Sequence, residues 1–261
     1  VYWKGWLELR PAVWDDFTSS LDNIKTSQSY VEAVNANTNI KCFNEWVIEL
    51  KHYNYLHNHT RMWFASIWIF TLKLPWQLGA AFFLEHLLDG DAASNTLSWK
   101  WVAGLQTKGK HYLAKSWNIE KFTFNRFKDI KLNESAEAII EDRMYELCKL
   151  PFSSTEIKSD SLIVFDSDLF IAEYSGNYKN IYFIDIENEY RKIKLSENVI
   201  NFKKALIQNI CSDFSNAKVV NHVEIKNISE TIKEFDVVYP FIGENLDYLK
   251  KLEQSLQLKL N

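Results

Sequence analysis

The sequence has few of the residues that mark fibrous, linker-like or disulfide-bonded proteins. Among its 261 residues are 7 glycines, 4 prolines and 3 cysteines, while 47% of the residues are hydrophobic. So little glycine and proline excludes collagen-like and low-complexity chains, and the hydrophobic fraction suffices for a globular core. The cysteines, Cys42, Cys148 and Cys211, are too few and too far apart for a disulfide framework. They predict reduced thiols in a cytoplasmic protein.

Long hydrophobic runs and strong charge of one sign are also missing. The longest strongly apolar stretch without a charge, residues 62–72, has 11 residues, and a membrane span needs about 20. The net charge of −4 is too small to indicate a membrane or nucleic-acid partner by itself. No basic segment followed by an apolar one opens the chain as a signal peptide would. Because the chain starts at Val1, inside an aromatic run, we expect it to be a fragment of a longer protein.

Tryptophan, by contrast, is abundant, with 10 residues and none after Trp117. The tryptophan-rich region has apolar residues at spacings of three and four, a pattern typical of amphipathic or buried helices. Pro75 and the Asp89-Gly90-Asp91 turn separate two of these segments. The predicted helices cover residues 43–50, 61–74, 76–88 and 92–103.

The pattern changes near residue 160 to short runs of β-branched and aromatic residues. These runs predict strands over residues 161–165, 180–186, 217–220 and 235–239, with helices over 197–214 and 245–258. Strands that alternate with helices favour a mostly parallel sheet. We therefore predict an α+β protein of two regions, an all-helical domain over residues 1–148 and a small α/β domain over residues 149–261.

Five polar residues of the helical region stand out because solubility alone does not explain their positions. Asn58 and Arg61 are three residues apart and share a helix face, while Asp89, Asp91 and Asn95 surround a glycine turn at a helix start. Taken alone, these residues favour an ordinary helix cap beside core tryptophans.

Their order along the chain changes that interpretation. Residues 57–62 (HNHTRM), 74–79 (LPWQLG), 88–95 (LDGDAASN) and 99–101 (WKW) follow one another at a spacing that resembles the FAD-binding domain of the DNA photolyase/cryptochrome family. The resemblance runs without a gap over residues 55–104 and more loosely over about 30–125. Such a long pattern is far more specific than a single short motif.

The resemblance implies an FAD site in this region. Arg61 corresponds to the arginine beside the isoalloxazine ring, and Asp89 to its paired aspartate. Asp91 corresponds to a second flavin-contacting aspartate, and Asn58 to an asparagine of the flavin and substrate pocket. Asn95 corresponds to the residue that faces the flavin N5, where the asparagine side chain favours a photolyase over a cryptochrome photoreceptor.

Two tryptophans correspond to members of the family's electron-transfer chain, Trp99 as the first and Trp76 as the second. The position of the third falls near Asn23, which is not an electron donor, so Trp14, Trp46 or a tyrosine could replace it. Core packing is the alternative role for Trp99 and Trp76, because most buried indoles serve only that purpose.

The resemblance also implies contact with UV-damaged DNA. The predicted substrate and DNA contacts are Tyr55, His57, Trp101 and Lys108. Tyr55 stands where many photolyases carry tryptophan, and an aromatic ring can still stack on a flipped base. His57 and His59 are two residues apart and so point in different directions on a helix, which argues against a metal site. No metal and no membrane partner are predicted.

Three functions remain open from the sequence. The first is a photolyase-type lyase, in which excited reduced FAD donates an electron to split a pyrimidine lesion. The second is a cryptochrome-like blue-light photoreceptor without repair activity, and the third is a relative that has lost flavin. Asn95 favours the first, whereas Val1 in the position of a dimer-contacting glutamate favours the others. Asp166, Asp168 and Asp185 follow predicted strands and are interpreted as turn residues without a catalytic role.

Overall fold

A computed structural model describes residues 2–107, 109–150 and 156–261 of the chain. The chain forms two compact units, Ala12–Glu146 and Val1–Pro11 with Leu147–Asn261. This division differs from the one predicted at residue 148, because the first eleven residues join the α/β unit. Helix α1 (Tyr2–Glu8) carries a buried glutamate, Glu8, which accepts hydrogen bonds from the Tyr239 hydroxyl at 2.8 Å and from the Ile242 backbone N–H at 2.6 Å.

The unit formed by Ala12–Glu146 consists, in its described residues, of helices joined by turns and extended segments. All four predicted helices are present, and α7 has the predicted bounds. The helices are α2 (Ala12–Ser20), α3 (Gln28–Val34), α4 (Lys41–Tyr53), α5 (Asn58–Ser66), α6 (Trp76–His86), α7 (Ala92–Ala103) and α8 (Ser116–Phe122).

The predicted helix over residues 61–74 has a different second half. After α5 the chain forms a π-helical turn over Ile67–Thr71, in which the Leu72 N–H donates to the Ile67 carbonyl at 2.8 Å. Pro75 then precedes α6 because proline lacks the N–H that a continuing helix would need. A wider turn in this apolar stretch changes which side chains face the neighbouring helices.

An aromatic cluster fills the core of this unit. Trp68 and Trp99 are almost fully buried and meet edge to face, with ring centroids 6.2 Å apart. Phe64 and Phe83 also pack on the Trp99 ring, at 6.5 and 5.1 Å. Gly79 of α6 permits this packing, since a Cβ atom there would lie 2.3 Å from Cη2 of Trp99 and 3.0 Å from Cε2 of Trp68.

Replacing Gly79 with alanine is therefore expected to destabilise the helical unit. Alanine favours a helix by about 1 kcal/mol over glycine, but overpacking of a rigid core costs roughly 1–3 kcal/mol, occasionally more. We expect a net loss of up to about 2 kcal/mol, measured by urea unfolding of the purified protein. Gly5→Ala is the matched control, because Gly5 is also helical and a Cβ atom there meets nothing within 4 Å. A Gly79→Ala protein as stable as the Gly5→Ala protein would contradict the packing described.

The other unit is built on a five-stranded sheet in the order β3-β2-β1-β4-β5, in which every pairing is parallel. The four predicted strands are present and a short fifth one was not foreseen. The elements are β1 (Ser161–Val164), β2 (Asn180–Ile184), α9 (Glu197–Cys211), β3 (Ala217–Val220), α10 (His222–Ile228), β4 (Glu234–Val237), α11 (Glu244–Leu256) and β5 (Lys259–Leu260).

Both faces of this sheet are buried, which explains why the central strands are apolar throughout. In β1, Leu162 and Val164 point to the face that contains Ile207 of α9, while Ile163 points to the face that contains Leu249 of α11. The register places Ile163 opposite Tyr182 of β2.

Charged side chains gather where β1 and β2 end. Asp166 forms an ion pair with Lys203 and accepts a hydrogen bond from Asn245 at 2.8 Å, and Asp185 lies 3.2 Å from Lys204. Burial alone would raise the pKa of Asp166, but Lys203 and Asn245 hold this pKa below its usual range. Asp166 and Asp185 thus do more than end strands, since each has a cationic partner in the fold.

No helix among the described residues is long and apolar enough to cross a membrane. Within the same residues, no three His, Cys, Asp or Glu side chains come together as a group that could hold a metal ion.

Candidate functional site

Two loops of the helical unit are tied together by the backbone and side chain of Asn54. This residue ends α4 in a left-handed conformation (φ 56°), and its N–H donates to the Leu50 carbonyl at 2.8 Å. Its side-chain amide donates to the His86 carbonyl at 2.8 Å, and its own carbonyl accepts from the Leu88 N–H at 3.1 Å. The loop before α5 and the loop before α7 are thereby held side by side.

These hydrogen bonds of Asn54 with His86 and Leu88, called the Asn54 bracket below, bring Arg61 and Asp89 together. Nε of Arg61 donates to the Leu56 carbonyl at 2.7 Å, and Nη2 lies 3.0 Å from Oδ2 of Asp89. The guanidinium also lies over the Tyr55 ring, 5.2 Å from its centroid. The Arg61 side chain is 22% exposed and that of Asp89 57%, so the ion pair itself adds at most about 1 kcal/mol to stability. The geometry presents an oriented, planar cation beside an accessible carboxylate.

Asp91 and Asn95 lie at the start of α7. Asp91 caps the helix, because its side chain accepts the Ser94 N–H at 2.8 Å. Asn95 is buried, and its Nδ2 donates to the Ala80 carbonyl of α6 at 2.8 Å. This hydrogen bond holds the amide in one orientation, and an amide oxygen can accept a hydrogen bond from a ligand.

Trp99 and Trp76 are both buried in the helical unit, at 2% and 5% exposure. Trp76 stacks on Phe17 at 5.5 Å, and Gly79, one helical turn after Trp76, contacts the Trp99 ring. The indole N–H groups of both tryptophans lack a partner among the described residues, whereas that of Trp68 donates to the Pro75 carbonyl at 2.9 Å. Buried N–H groups are rarely left unpaired, so this pair of indoles calls for an explanation beyond packing.

The residues predicted to meet DNA are partly brought together. Tyr55 is exposed and adjoins Arg61, and exposed His57 caps α5 by accepting the His59 N–H at Nδ1. Asn58 is exposed as the first residue of α5. Trp101 is half-buried and stacks on Tyr112, with ring centroids 6.1 Å apart. Lys108, like Val1, lies outside the described residues.

Two residues that build this region, Asn54 and Gly79, were not singled out from the sequence, and the burial of Lys100, a candidate phosphate contact by sequence, was not predicted. Asn54 could have been found from its position between a predicted helix and a polar loop, where asparagine often adopts the left-handed conformation. Gly79 inside an apolar helix is a recognised sign of close packing. Lys100 carries no local signal, because its burial depends on a segment far along the chain.

His86, whose carbonyl accepts the hydrogen bond from the Asn54 side chain, makes the stability of this region depend on pH. Burial, followed by the charge of Lys51, lowers the pKa of His86 to about 4. The folded state therefore binds this proton less readily than the unfolded chain does. The contribution of neutral His86 to the free energy of unfolding is fully present above about pH 6.5. It is lost as the pH falls toward 4, and the loss is at most about 3 kcal/mol.

We expect His86→Gln to flatten the urea stability profile between pH 6.5 and 4, since glutamine has no proton to take up. His52→Gln is the control, because His52 is an exposed histidine on α4. A His86→Gln protein that keeps the full pH dependence would show that other groups cause it.

The helical unit matches the family model described as the FAD binding domain of DNA photolyase, over residues 16–133. The chain is 35% identical to a deoxyribodipyrimidine photo-lyase of Streptomyces griseus over 97 residues, which are 37% of this chain and 21% of that protein. It is 30% identical to a cryptochrome DASH of Idiomarina loihiensis over 97 residues, 37% of this chain and 21% of that protein. A deoxyribodipyrimidine photo-lyase of Neurospora crassa is 40% identical over 58 residues, 22% of this chain and 9% of that protein.

The matched part of the chain spans about a fifth of the length of the first two of these relatives. No solved structure matches the chain significantly. The family match covers all of the loops and helices that hold Arg61, Asp89 and Asn95. Residues 16–133 of this chain are therefore similar to the FAD-binding domain of the DNA photolyase/cryptochrome family, and the cofactor that this match supports is FAD.

Proposed function

We propose that this chain holds FAD against Asn58, Arg61, Asp89, Asp91 and Asn95, and that the reduced flavin, excited by light, repairs pyrimidine lesions in UV-damaged DNA. The observation that carries the proposal is the Arg61–Asp89 pair, oriented by the Leu56 carbonyl and by the Asn54 bracket. A guanidinium that is fixed in orientation and partly exposed is suited to bind an anionic ring or a phosphate, and a purely structural contact would not need this exposure.

The residues fit a flavin in their chemistry. Arg61 stabilises negative charge on a reduced isoalloxazine ring, and Asp89 neutralises the arginine so that its charge can be covered by a ligand. Asn95 has an oriented Oδ1 that can accept the N–H of a reduced flavin N5. Asp91 fixes the start of α7, which keeps Asn95 in register with the loop that carries Asp89.

Trp99 and Trp76 are proposed to carry electrons to the flavin. An indole that loses an electron becomes acidic at its N–H and is trapped once the proton leaves. Because neither N–H has an acceptor among the described residues, an oxidised indole keeps its proton and can be refilled quickly. Flavin supplies the light-driven one-electron chemistry when bound, while the protein orients it and excludes water.

The proposed DNA contacts are exposed Tyr55 and His57 next to Arg61, with Trp101 and Lys108 further along the chain. Tyr55 offers a ring on which a flipped base can stack, and lysines contact phosphates. The enzyme would thus be a deoxyribodipyrimidine photolyase-type lyase. A cryptochrome-like photoreceptor without repair is the second candidate, and one of the relatives above carries the name cryptochrome DASH.

Illumination separates these two functions. The purified protein, reduced and loaded with FAD, is mixed with an oligonucleotide that contains one thymine dimer and exposed to blue light. Repair predicts loss of the dimer in proportion to the light dose, with none lost in the dark. FAD-loaded protein that binds light but leaves the dimer intact would contradict repair and favour the photoreceptor.

A further inference from the structure

A buried lysine lies against the second tryptophan of the proposed electron path. The side chain of Lys100, on α7, is only 4% exposed, and its Nζ lies 5.1 Å from the centroid of the Trp76 ring. The same ammonium lies 5.4 Å from the centroid of the Tyr145 ring and 3.2 Å from Oε2 of Glu141. One cation thus stands between two aromatic rings, with one carboxylate beside it.

The tyrosine and the glutamate belong to an extended segment, residues 136–146, that follows the part of the chain matched by the family model. The segment is held on the helical unit where α7 ends. The Ala136 carbonyl lies 2.8 Å from Nε2 of His111, and the Ile139 N–H donates to the Ala103 carbonyl at 2.9 Å. Gly104 (φ 87°) allows this approach, because a Cβ atom there would lie 2.6 Å from that of Ala138.

Trp76 and Lys100 line a cavity of the helical unit that a second ion pair also lines. Nε of Arg143 lies 2.8 Å from Oδ2 of Asp16, and both side chains face the cavity together with Trp76, Lys100 and Glu141. The opposite charges of Arg143 and Asp16 largely cancel, so this pair adds little net charge near Trp76. The cation in contact with the indole ring is the Lys100 ammonium, 5.1 Å from the ring centroid, and its partner Glu141 lies on the solvent side, with a side chain that is 34% exposed.

An ammonium beside an indole ring is attracted to the neutral ring and repelled by the oxidised one. Cation–π attraction stabilises Trp76 as it is, and removal of an electron converts that attraction into repulsion between two positive charges about 5 Å apart. In a buried site this repulsion is only weakly screened. Lys100 thus makes Trp76 harder to oxidise than a buried indole without a neighbouring cation.

We propose, on the basis of the proposed flavin function, that Lys100 is a positioning residue that restricts electron flow through Trp76. Trp99 loses one electron to photoexcited oxidised FAD, and Trp76 can refill Trp99 only at the cost of its own repulsion with Lys100. An added thiol reductant refills whichever indole is oxidised. No bond forms or breaks in the chain. The electron that Trp99 has lost comes back to it from the flavin more often than Trp76 replaces it.

The test compares charge removal with charge retention. Lys100→Met and Lys100→Arg proteins are loaded with oxidised FAD and illuminated in excess thiol, and the yield of flavin reduction is measured by visible absorption. We expect Lys100→Met to raise the yield by about tenfold or more, and Lys100→Arg to stay within about twofold of the natural protein. Transient absorption should show a longer-lived tryptophan radical in Lys100→Met. If Lys100→Met does not fold, Lys100→Gln takes its place.

A readout without flavin checks the contact itself. In the flavin-free protein, the indole N–H NMR signal of Trp76, assigned by its loss in Trp76→Phe, should shift in Lys100→Met and much less in Lys100→Arg. Tyr145→Phe keeps the ring beside Lys100 and should leave the yield unchanged. A strong loss of yield in Tyr145→Phe would overturn the proposal, because Tyr145 would then be the donor that Lys100 fails to hinder.

The outcomes separate this proposal from the function on which it rests. If the natural protein retains no FAD, the flavin function fails. If FAD is retained and Lys100→Met reduces it no faster than Lys100→Arg does, the restriction by Lys100 is wrong while flavin binding stands.

Discussion

Replacing Asp89 with alanine is expected to abolish FAD retention while leaving the fold intact. The Asp89 side chain is 57% exposed, so losing its ion pair with Arg61 changes the free energy of unfolding by no more than about 1 kcal/mol. Once flavin covers the site, however, the Arg61 charge has no counter-ion and no water. Truncating one partner of a covered charge pair costs about 2–5 kcal/mol, so we expect FAD affinity to fall by at least about 30-fold.

The measurement is the ratio of bound flavin to protein after gel filtration, together with the dissociation constant from titration of the flavin-free protein. Asp89→Asn is expected to lie between the natural protein and Asp89→Ala. Glu45→Ala is the matched control, since Glu45 forms an ion pair with Arg126 elsewhere on the same unit. Normal flavin occupancy in Asp89→Ala would refute the assignment of this pair to the cofactor.

Replacing Trp99 with phenylalanine is expected to remove photoreduction while FAD stays bound. A benzene ring is far harder to oxidise than an indole, so the electron path loses its first carrier. The variant keeps most of the ring packing against Phe83. Its stability loss should therefore stay below the roughly 3–5 kcal/mol that truncation of a core tryptophan to alanine costs.

Trp68→Phe is the matched control, because Trp68 is equally buried and its ring meets that of Trp99 at 6.2 Å. The Trp68 indole donates to the Pro75 carbonyl, so this variant should be destabilised at least as much as Trp99→Phe. Only Trp99→Phe should lose flavin photoreduction in the light. Equal photoreduction by both variants would mean that Trp99 only packs the core.

Local signals in the sequence were enough to predict two elements, α7 and β3, to the residue. Helix α7 begins after the cap Asp91 and ends at Gly104, whose φ of 87° favours glycine, and both signals are readable without a fold. Strand β3 likewise follows directly from its run of β-branched residues. The proposed flavin contacts Arg61, Asp89 and Asn95 were predicted from their order along the chain.

What the sequence could not supply depends on contacts between distant residues. The bracket that orients Arg61 joins Asn54 to His86, 32 residues apart, and the ion pair that buries Lys100 reaches Glu141, 41 residues along the chain. The largest difference, the packing of residues 2–11 with the α/β unit, rests on Glu8 and Tyr239, 231 residues apart. No local pattern records such pairings, because each member alone looks like an ordinary surface residue.

The most direct test of the central claim is the visible absorption spectrum of the purified protein. If the chain binds FAD, we expect the absorption bands of bound flavin and one FAD released per chain on denaturation. We also expect any flavin-free fraction to take up added FAD. A colourless preparation that takes up no FAD, although its helical unit is folded by circular dichroism, would contradict it.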